Sequence, residues 1–186
     1  MTYVLGLDIG KHRDYTALTV VEPSAQTINV VHLHRYALGT AYTTIADDLA
    51  LTLSKSPLVD AAILGVDATG LGGPFLDLLS ERTPQTPIVG ITITGQRSVK
   101  WRSRTDVLVP KGILARTMAT LVEQHRLRIA SGLALAPLLM TEMSRFRAMI
   151  DRNGRIRYAA DTSVDTNDDL VLSAMYACWL AVTLRL

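Results

Sequence analysis

The chain has 186 residues and a mass of 20.3 kDa, a size that predicts one domain spanning residues 1–186. Hydrophobic residues make up 48% of it and charged residues 19%, a composition that can build a sizeable core and excludes an intrinsically disordered chain. The single cysteine, Cys178, excludes an internal disulfide framework and favours the reducing cytoplasm. The most apolar stretch, Leu170 to Leu186, is shorter than a bilayer span of about 20 residues, so we expect a buried helix and no membrane contact.

The first half of the sequence predicts strands followed by alternating helices and strands. Three short runs rich in Val, Ile, Leu and Thr predict an antiparallel meander: Tyr3 to Gly10, Tyr15 to Glu22 and Thr27 to Tyr36. Helical spacing of apolar residues follows from Ala41 to Ser56, and the nearly continuous apolar run from Ala61 to Asp67 is typical of a strand covered on both faces.

A glycine-rich loop, Gly70 to Gly73, then leads into a helix predicted from Phe75 to Arg82 and a strand from Pro87 to Thr94. This order of elements predicts an α/β fold in which helices pack on a mixed sheet.

The second half is less regular. We expect these elements in order: a basic loop from Gly95 to Thr105, helices from Pro110 to His125 and from Ala136 to Ile150, a turn at Asn153-Gly154, a strand from Arg155 to Ala159, a loop from Thr162 to Asn167, and a last helix from Asp168 to Leu184.

Charge is unevenly distributed along the chain. From Arg97 to Arg157 there are thirteen Lys or Arg and four Asp or Glu, a balance of +9, whereas the other residues carry six basic and thirteen acidic side chains, a balance of −7. This pattern is compatible with solvated helix faces, and equally with a polyanion-binding face beside a metal-binding carboxylate cluster.

Three acidic positions indicate where such a cluster lies. Asp8 is inside the first strand, where a carboxylate is costly unless it is paired or binds a cation. Asp67 ends a strand, where it could also shape a turn, and the Asp168-Asp169 pair opens the last helix, where either residue could be an N-cap. Carboxylates without His or Cys partners favour Mg²⁺ or Mn²⁺, and two such ions can cleave a phosphodiester.

These motifs resemble the C-terminal nuclease domain of the phage terminase large subunit, a branch of the RNase H-like (RuvC-like) superfamily. The resemblance covers nearly the whole chain. It is carried by five segments: Gly6-Leu7-Asp8-Ile9-Gly10, Asp14-Tyr15-Thr16-Ala17, Val66-Asp67-Ala68-Thr69-Gly70-Leu71-Gly72, Val109-Pro110-Lys111, and Asn167-Asp168-Asp169-Leu170-Val171 followed by Ala174.

The resemblance implies a mixed five-stranded RNase H-like sheet and a metal-dependent DNA endonuclease that acts during genome packaging. Asp8, Asp67 and Asp168 or Asp169 would bind two divalent ions, Mg²⁺ or Mn²⁺. The implied partners are double-stranded DNA, a separate terminase ATPase motor, the small terminase subunit and the portal, in the cytoplasm of a bacterial host that carries the phage or prophage.

Two features depart from the family pattern. Asn167 stands where many members have a His before the Asp-Asp pair. The sequence also contains no G-x-x-x-x-G-K-[ST] motif, so we do not expect this chain to power DNA translocation.

The basic loop and the residue after Pro110 supply the expected DNA contacts: Lys100, Arg102, Arg104 and Lys111. Trp101, which lies among them, could stack on a base or pack in the core. Asp14 reads either as a turn residue or as an acid close to the metals.

Other function classes remain open at this stage. A RuvC-like Holliday junction resolvase would use the same fold on a different DNA shape. An actin-like or sugar-kinase-like nucleotide-binding protein has similar phosphate loops, although it pairs two lobes and does not need Asp168-Asp169. A third class is an inactive scaffold that binds only DNA or a motor subunit.

Overall fold

The structure, a computed structural model, describes residues 2–10, 14–70, 72–150, 156–160 and 167–186. These residues form ten strands: β1 (Tyr3–Asp8), β2 (Ala17–Pro23), β3 (Ile28–Arg35), β4 (Ala62–Asp67), β5 (Ile88–Thr94), β6 (Lys100–Trp101), β7 (Asp106–Pro110), β8 (Leu127–Ile129), β9 (Phe146–Ile150) and β10 (Ile156–Ala160). Five helices connect or flank them: α1 (Tyr42–Leu53), α2 (Gly72–Arg82), α3 (Lys111–Glu123), α4 (Ala136–Arg145) and α5 (Asp169–Leu184).

Eight strands form one mixed sheet in the order β6-β7-β5-β4-β1-β2-β3-β8, and β9 pairs with β10 in a separate two-stranded sheet. Strands β1, β4, β5 and β7 run parallel to one another, while β2 runs antiparallel between β1 and β3. The carboxyl ends of the four parallel strands therefore lie together at one end of the sheet, as does the amino end of β2. This end, which we call the carboxyl edge, contains Asp8 and Asp67 and is where the side chains of interest collect.

The predicted α/β class, the meander and the mixed sheet are confirmed, but the expected five strands are wrong, since the sheet also contains β6, β7 and β8. Strands β6 and β8 have two and three residues, too few to show an alternating pattern. Strand β7 lies between the predicted basic loop, which ends at Thr105, and helix α3, which begins at Lys111. The sequence pattern predicts no element in this short interval.

The helix predicted from Ala136 to Ile150 ends at Arg145, because Phe146 to Ile150 pair with Ile156 to Ala160. Cross-strand pairing overrides a local sequence that is compatible with a helix. The predicted turn at Asn153-Gly154 and the start of the predicted loop at Thr162 lie outside the described residues.

Helices cover both faces of the sheet. One core contains α1 and α2 packed against residues such as Leu5, Leu7 and Leu64, and the other lies under α3, α4 and α5. Helix α5 is buried without interruption from Asp169 to Ala181, which explains why it is apolar all round instead of amphipathic. No helix among the described residues is long and apolar enough to cross a membrane.

Helix α5 approaches the sheet closely because two strands present glycine to it. A Cβ on Gly6 of β1 would overlap the carbonyl oxygen of Ser173, and a Cβ on Gly65 of β4 would lie 3.2 Å from the Leu180 side chain. A buried hydrogen bond of 2.7 Å joins the hydroxyls of Ser173 and Thr19 of β2. Glycine in both central strands thus fixes where α5 lies, and with it the position of the acidic residues at its start.

Candidate active site

Asp8 and Asp67 are the last residues of two neighbouring parallel strands, β1 and β4. Side chains alternate along a strand, so Asp8 lies on the same face as Gly6, and Asp67 on the same face as Gly65, both towards α5. Asp8 is only 6% exposed. The structure therefore brings together two of the carboxylates that the sequence singled out.

Asp67 also shapes the turn that follows it. Its Oδ1 accepts a hydrogen bond of 2.7 Å from the Thr69 backbone N–H, and the Thr69 hydroxyl accepts one of 2.9 Å from the N–H of Ile93 on β5. The turn role that we weighed against a binding role is thus present, and it holds one carboxylate oxygen in place while the other stays available.

The Asp168-Asp169 pair lies at the start of α5, and its two side chains have different surroundings. Asp168 is the N-cap residue and its Oδ2 lies 3.5 Å from Nζ of Lys111, which follows β7 at the same sheet edge. Asp169 is 3% exposed, and its Oδ2 is buried without a hydrogen-bond partner among the described residues. We call Asp8, Asp67, Asp168 and Asp169 the carboxylate cluster.

The capping role that we weighed for the two aspartates is not seen, since Asp168 is the N-cap residue of α5 and its side chain makes no cap hydrogen bond. The cap is supplied by Glu142 of α4, whose Oε2 accepts a hydrogen bond of 2.9 Å from the backbone N–H of Val171 in the first turn of α5. Glu142 is 1% exposed. Sequence reasoning missed it, although Ala136, Leu139 and Glu142 recur at a spacing of three on the buried side of α4.

Burial and like charge dominate the electrostatics of the site. The pKa of Asp8 is raised well above its ordinary value, first by burial and then by the negative charges of Asp67, Asp169 and Asp168. Burial also raises the pKa of Asp67. The pKa of Asp169 rises to about 7, through burial and then the charges of Asp168 and Asp14.

Two cations moderate this repulsion from opposite sides. Lys111 lowers the pKa of both Asp8 and Asp67, and Arg35 at the end of β3 lowers that of Glu142 and Asp169. Arg35 lies 3.8 Å from the centre of the Tyr15 ring, which orients it beside the β1–β2 connection. Asp14, which precedes Tyr15, is exposed and close enough to raise the pKa of Asp169.

The chemistry of these donors fits a hard divalent cation, because all of them are carboxylate oxygens and one of those oxygens, Oδ2 of Asp169, is buried with no partner in the described part of the chain. As the side chains stand, however, no group of three or more His, Cys, Asp or Glu residues in the described ranges is arranged to hold a metal ion. The carboxylate cluster therefore has donor atoms that suit a divalent cation, and the ammonium group of Lys111 lies beside one of its members, Asp168.

The expected DNA-binding residues divide into two places. Lys100, Arg102 and Arg104, the basic segment, lie exposed on and beside edge strand β6. Arg102 is paired there with Asp106, Nε to Oδ2 at 2.7 Å. Lys111 instead faces the carboxylate cluster, with Nζ 5.3 Å from the centre of the Phe146 ring.

Trp101 partly packs against the protein core, which was one of its two expected roles. Its ring lies 6.2 Å from that of Trp179 on α5, at an interplanar angle of 26°, and the residue is 39% exposed. Cys178, on the same helix, is fully buried, and burial raises its thiol pKa to about 12, so it is an unreactive core residue.

Solved structures with a similar fold are terminase nucleases from viruses. The large terminase nuclease of thermophilic phage G20c with bound magnesium matches at a TM-score of 0.69 and 17% identity, over 96% of this chain and 80% of that one. The chain has the fold of the large terminase nucleases. The nuclease domain of the bacteriophage SPP1 large terminase with bound manganese matches at a TM-score of 0.59 and 14% identity, over 95% of this chain and 85% of that one.

The likeness to large terminase nucleases extends to a virus of animals. The manganese-soaked terminase nuclease domain of human cytomegalovirus matches at a TM-score of 0.59 and 12% identity, over 95% of this chain and 82% of that one. No protein-family model matches the sequence, and no curated protein matches it. The predicted RNase H-like class and the resemblance to terminase nuclease domains are therefore confirmed at the level of the fold.

Proposed function

We propose that this chain is a divalent-metal-dependent DNA endonuclease of the terminase large subunit type, which cuts double-stranded DNA by two-metal phosphodiester hydrolysis during genome packaging. The observation that carries the proposal is the carboxylate cluster at the carboxyl edge of this sheet, in which Asp8 and Asp169 are buried. Burying Asp8 beside other acids is unfavourable in a purely structural site, because each negative charge raises the free energy of its neighbours. A cation site offsets that cost.

Asp8, Asp67, Asp168 and Asp169 would hold two ions, Mg²⁺ or Mn²⁺. Asp8 is the carboxylate common to the set, since its pKa responds to the charge of each of the other three. When bound, the ions supply an activated water and stabilise the leaving oxygen of the phosphodiester.

The surrounding residues fix the donors before any ion binds. Thr69 holds one oxygen of Asp67, and Glu142 fixes the first turn of α5 from which Asp168 and Asp169 project. Lys111 neutralises part of the negative charge and lies where it can pair with a phosphate of the substrate. Preorganised donors lower the reorganisation needed for catalysis.

We assign DNA backbone contacts to Lys100, Arg102, Arg104 and Lys111. The first three lie at the sheet edge formed by β6, on solvent-exposed positions that a phosphate backbone can reach. Arg102 would contribute least, because Asp106 already pairs with it. A separate ATPase motor, the small terminase subunit and the portal would bring DNA to this domain, residues 1–186, in the cytoplasm of the host.

The experiment is a cleavage assay on supercoiled plasmid in Mn²⁺, in Mg²⁺ and in EDTA, with Asp8→Asn as the matched inactive variant. We expect nicked and linear products in either metal, little dependence on sequence, and intact plasmid in EDTA. No cleavage by the parental protein in either metal would refute the proposal, and ATP-dependent behaviour without cleavage would favour the kinase-like class.

A further inference from the structure

Tyr176 is a fully buried tyrosine of α5 that lies over the seam between β1 and β4. Its position follows from its neighbours on the helix. Ser173 and Ala177 contact Gly6 on β1, and Leu180 contacts Gly65 on β4. The ring therefore faces the sheet where Asp8 and Asp67 each lie two residues beyond those glycines, on the same face.

The hydroxyl of Tyr176 is a buried donor that faces carboxylates. Among the described residues no atom completes a hydrogen bond of good geometry with it. Buried phenol groups nearly always have a partner. Burial, and then the charges of Asp8 and Asp67, raise the pKa of Tyr176, so both carboxylates lie within electrostatic reach of its hydroxyl.

We propose that Tyr176 is a positioning residue of the carboxylate cluster, whose hydroxyl donates a hydrogen bond to Asp8 or Asp67 and so orients that carboxylate for a divalent ion. This inference rests on the proposed function, because it concerns the same site.

A neutral donor suits this position better than a cation does. A lysine at the floor of the site would compete with a metal ion for the same negative charge, as Lys111 does for Asp168 at the rim. A phenol directs a carboxylate oxygen without adding positive charge, and a phenol is protonated at neutral pH and so remains a donor. Hydrogen bonds to metal ligands of this kind typically change metal affinity 10- to 100-fold.

The test measures Mn²⁺ binding by isothermal titration calorimetry for the parental protein, Tyr176→Phe and Tyr36→Phe. Tyr36 is a matched control, since it is also buried and its hydroxyl donates to a carboxylate, Asp48 Oδ2 at 2.7 Å, on the face of the sheet covered by α1. We expect Tyr176→Phe to weaken Mn²⁺ binding by about tenfold or more, and Tyr36→Phe to bind as the parental protein does. Equal affinity in all three proteins would overturn the inference, whereas a parental protein that binds no Mn²⁺ would refute the proposed function itself.

A second measurement applies to the parental protein alone, so it holds even if Tyr176→Phe does not fold. The hydroxyl proton of Tyr176 is followed by NMR during a Mg²⁺ titration, with that of Tyr36 as the internal reference. We expect the Tyr176 resonance to shift with saturation and that of Tyr36 to stay in place. A Tyr176 resonance unchanged at saturating Mg²⁺ would overturn the inference.

Discussion

Two regions of this molecule carry opposite charge and are built in opposite ways. Asp8 and Asp169 of the carboxylate cluster are buried, and three separate chain segments bring the cluster together where parallel strands end. The basic segment is a single exposed stretch around the two-residue strand β6, and one of its cations, Arg102, is already paired with Asp106. Burial makes each charge in the cluster costly and specific, whereas water screens each charge in the basic segment.

The difference indicates how much a single residue matters in each region. Within the cluster, a substitution at one residue alters the electrostatic surroundings of its neighbours, because the groups are close and partly desolvated. Within the basic segment, effects are small for each residue and add up.

The largest effect is expected at Asp8, which responds to every other member of the cluster. Asp8→Asn should abolish plasmid nicking while leaving the metal-free melting temperature unchanged or higher, because removing one carboxylate relieves desolvation and repulsion. Nicking rate and melting temperature with and without Mn²⁺ are the measurements. A fall in metal-free stability together with parental activity would show that Asp8 is a structural residue.

The next effects in size are expected at the two aspartates at the start of α5, Asp168 and Asp169. Asp168→Asn and Asp169→Asn should each reduce the nicking rate, and Asp168→Asn should also free Lys111 from its ion pair. Neither change should cost the roughly 1 kcal/mol of a lost helix cap, since Asp168 forms no cap hydrogen bond. If both variants cut DNA at the parental rate, the carboxylate mechanism is wrong.

Substitution of Glu142 tests the effect of burial alone, because Glu142 is a buried residue to which we assign no DNA contact. Burial first, and then the charge of Asp169, raise its pKa to about 7, so the folded protein retains a proton that the unfolded chain releases above about pH 4.5. Stability from this group is therefore full below about pH 4.5 and is lost as the pH rises towards 7. The melting temperatures of Glu142→Gln and of the parental protein are measured in EDTA. The difference in favour of Glu142→Gln should be larger at pH 8 than at pH 5.

The matched control for this experiment is Glu123→Gln, the same change at an exposed position of α3. It should leave the pH dependence of the melting temperature unaltered. Glu142→Ala should be less stable than Glu142→Gln by on the order of 1 kcal/mol, since alanine cannot accept the hydrogen bond from Val171. A Glu142→Gln curve parallel to that of the parental protein would contradict the linkage.

The smallest effects per residue are expected in the basic segment. Charge reversal at Lys100, Arg102 and Arg104 together should weaken binding to all DNA sequences and flatten its salt dependence, because phosphate contacts release counterions. Reversal of the exposed Lys55, which follows α1, is the control. An unchanged slope of affinity against salt concentration would show that DNA does not pass over β6.

Much of this architecture could be predicted from the sequence, because β1 to β5 are long enough to show their pattern. Asp8 was identifiable since a carboxylate inside an apolar strand contradicts its surroundings. Strands β6 and β8 were too short for any period, and the β9 sequence is compatible with a helix until it pairs with β10.

The missed site residues, Glu142 and Tyr176, share a physical reason. Each lies on a helix and acts on residues distant in sequence, Glu142 on Val171 and Tyr176 on Asp8 and Asp67. Glu142 carried a faint signal, an acid on an apolar helix face. Tyr176 carried almost none, because α5 is buried all round and offers no polar face against which one phenol stands out.

Anomalous diffraction from a crystal soaked in Mn²⁺ would show directly whether the carboxylate cluster is a divalent-metal site. We predict anomalous peaks between Asp8, Asp67 and the Asp168-Asp169 pair, and the loss of those peaks in Asp8→Asn. The contrary result is ordered density for all four carboxylates with no anomalous peak among them, at a Mn²⁺ concentration that supports cleavage. That result would show that the carboxylate cluster is not a divalent-metal site.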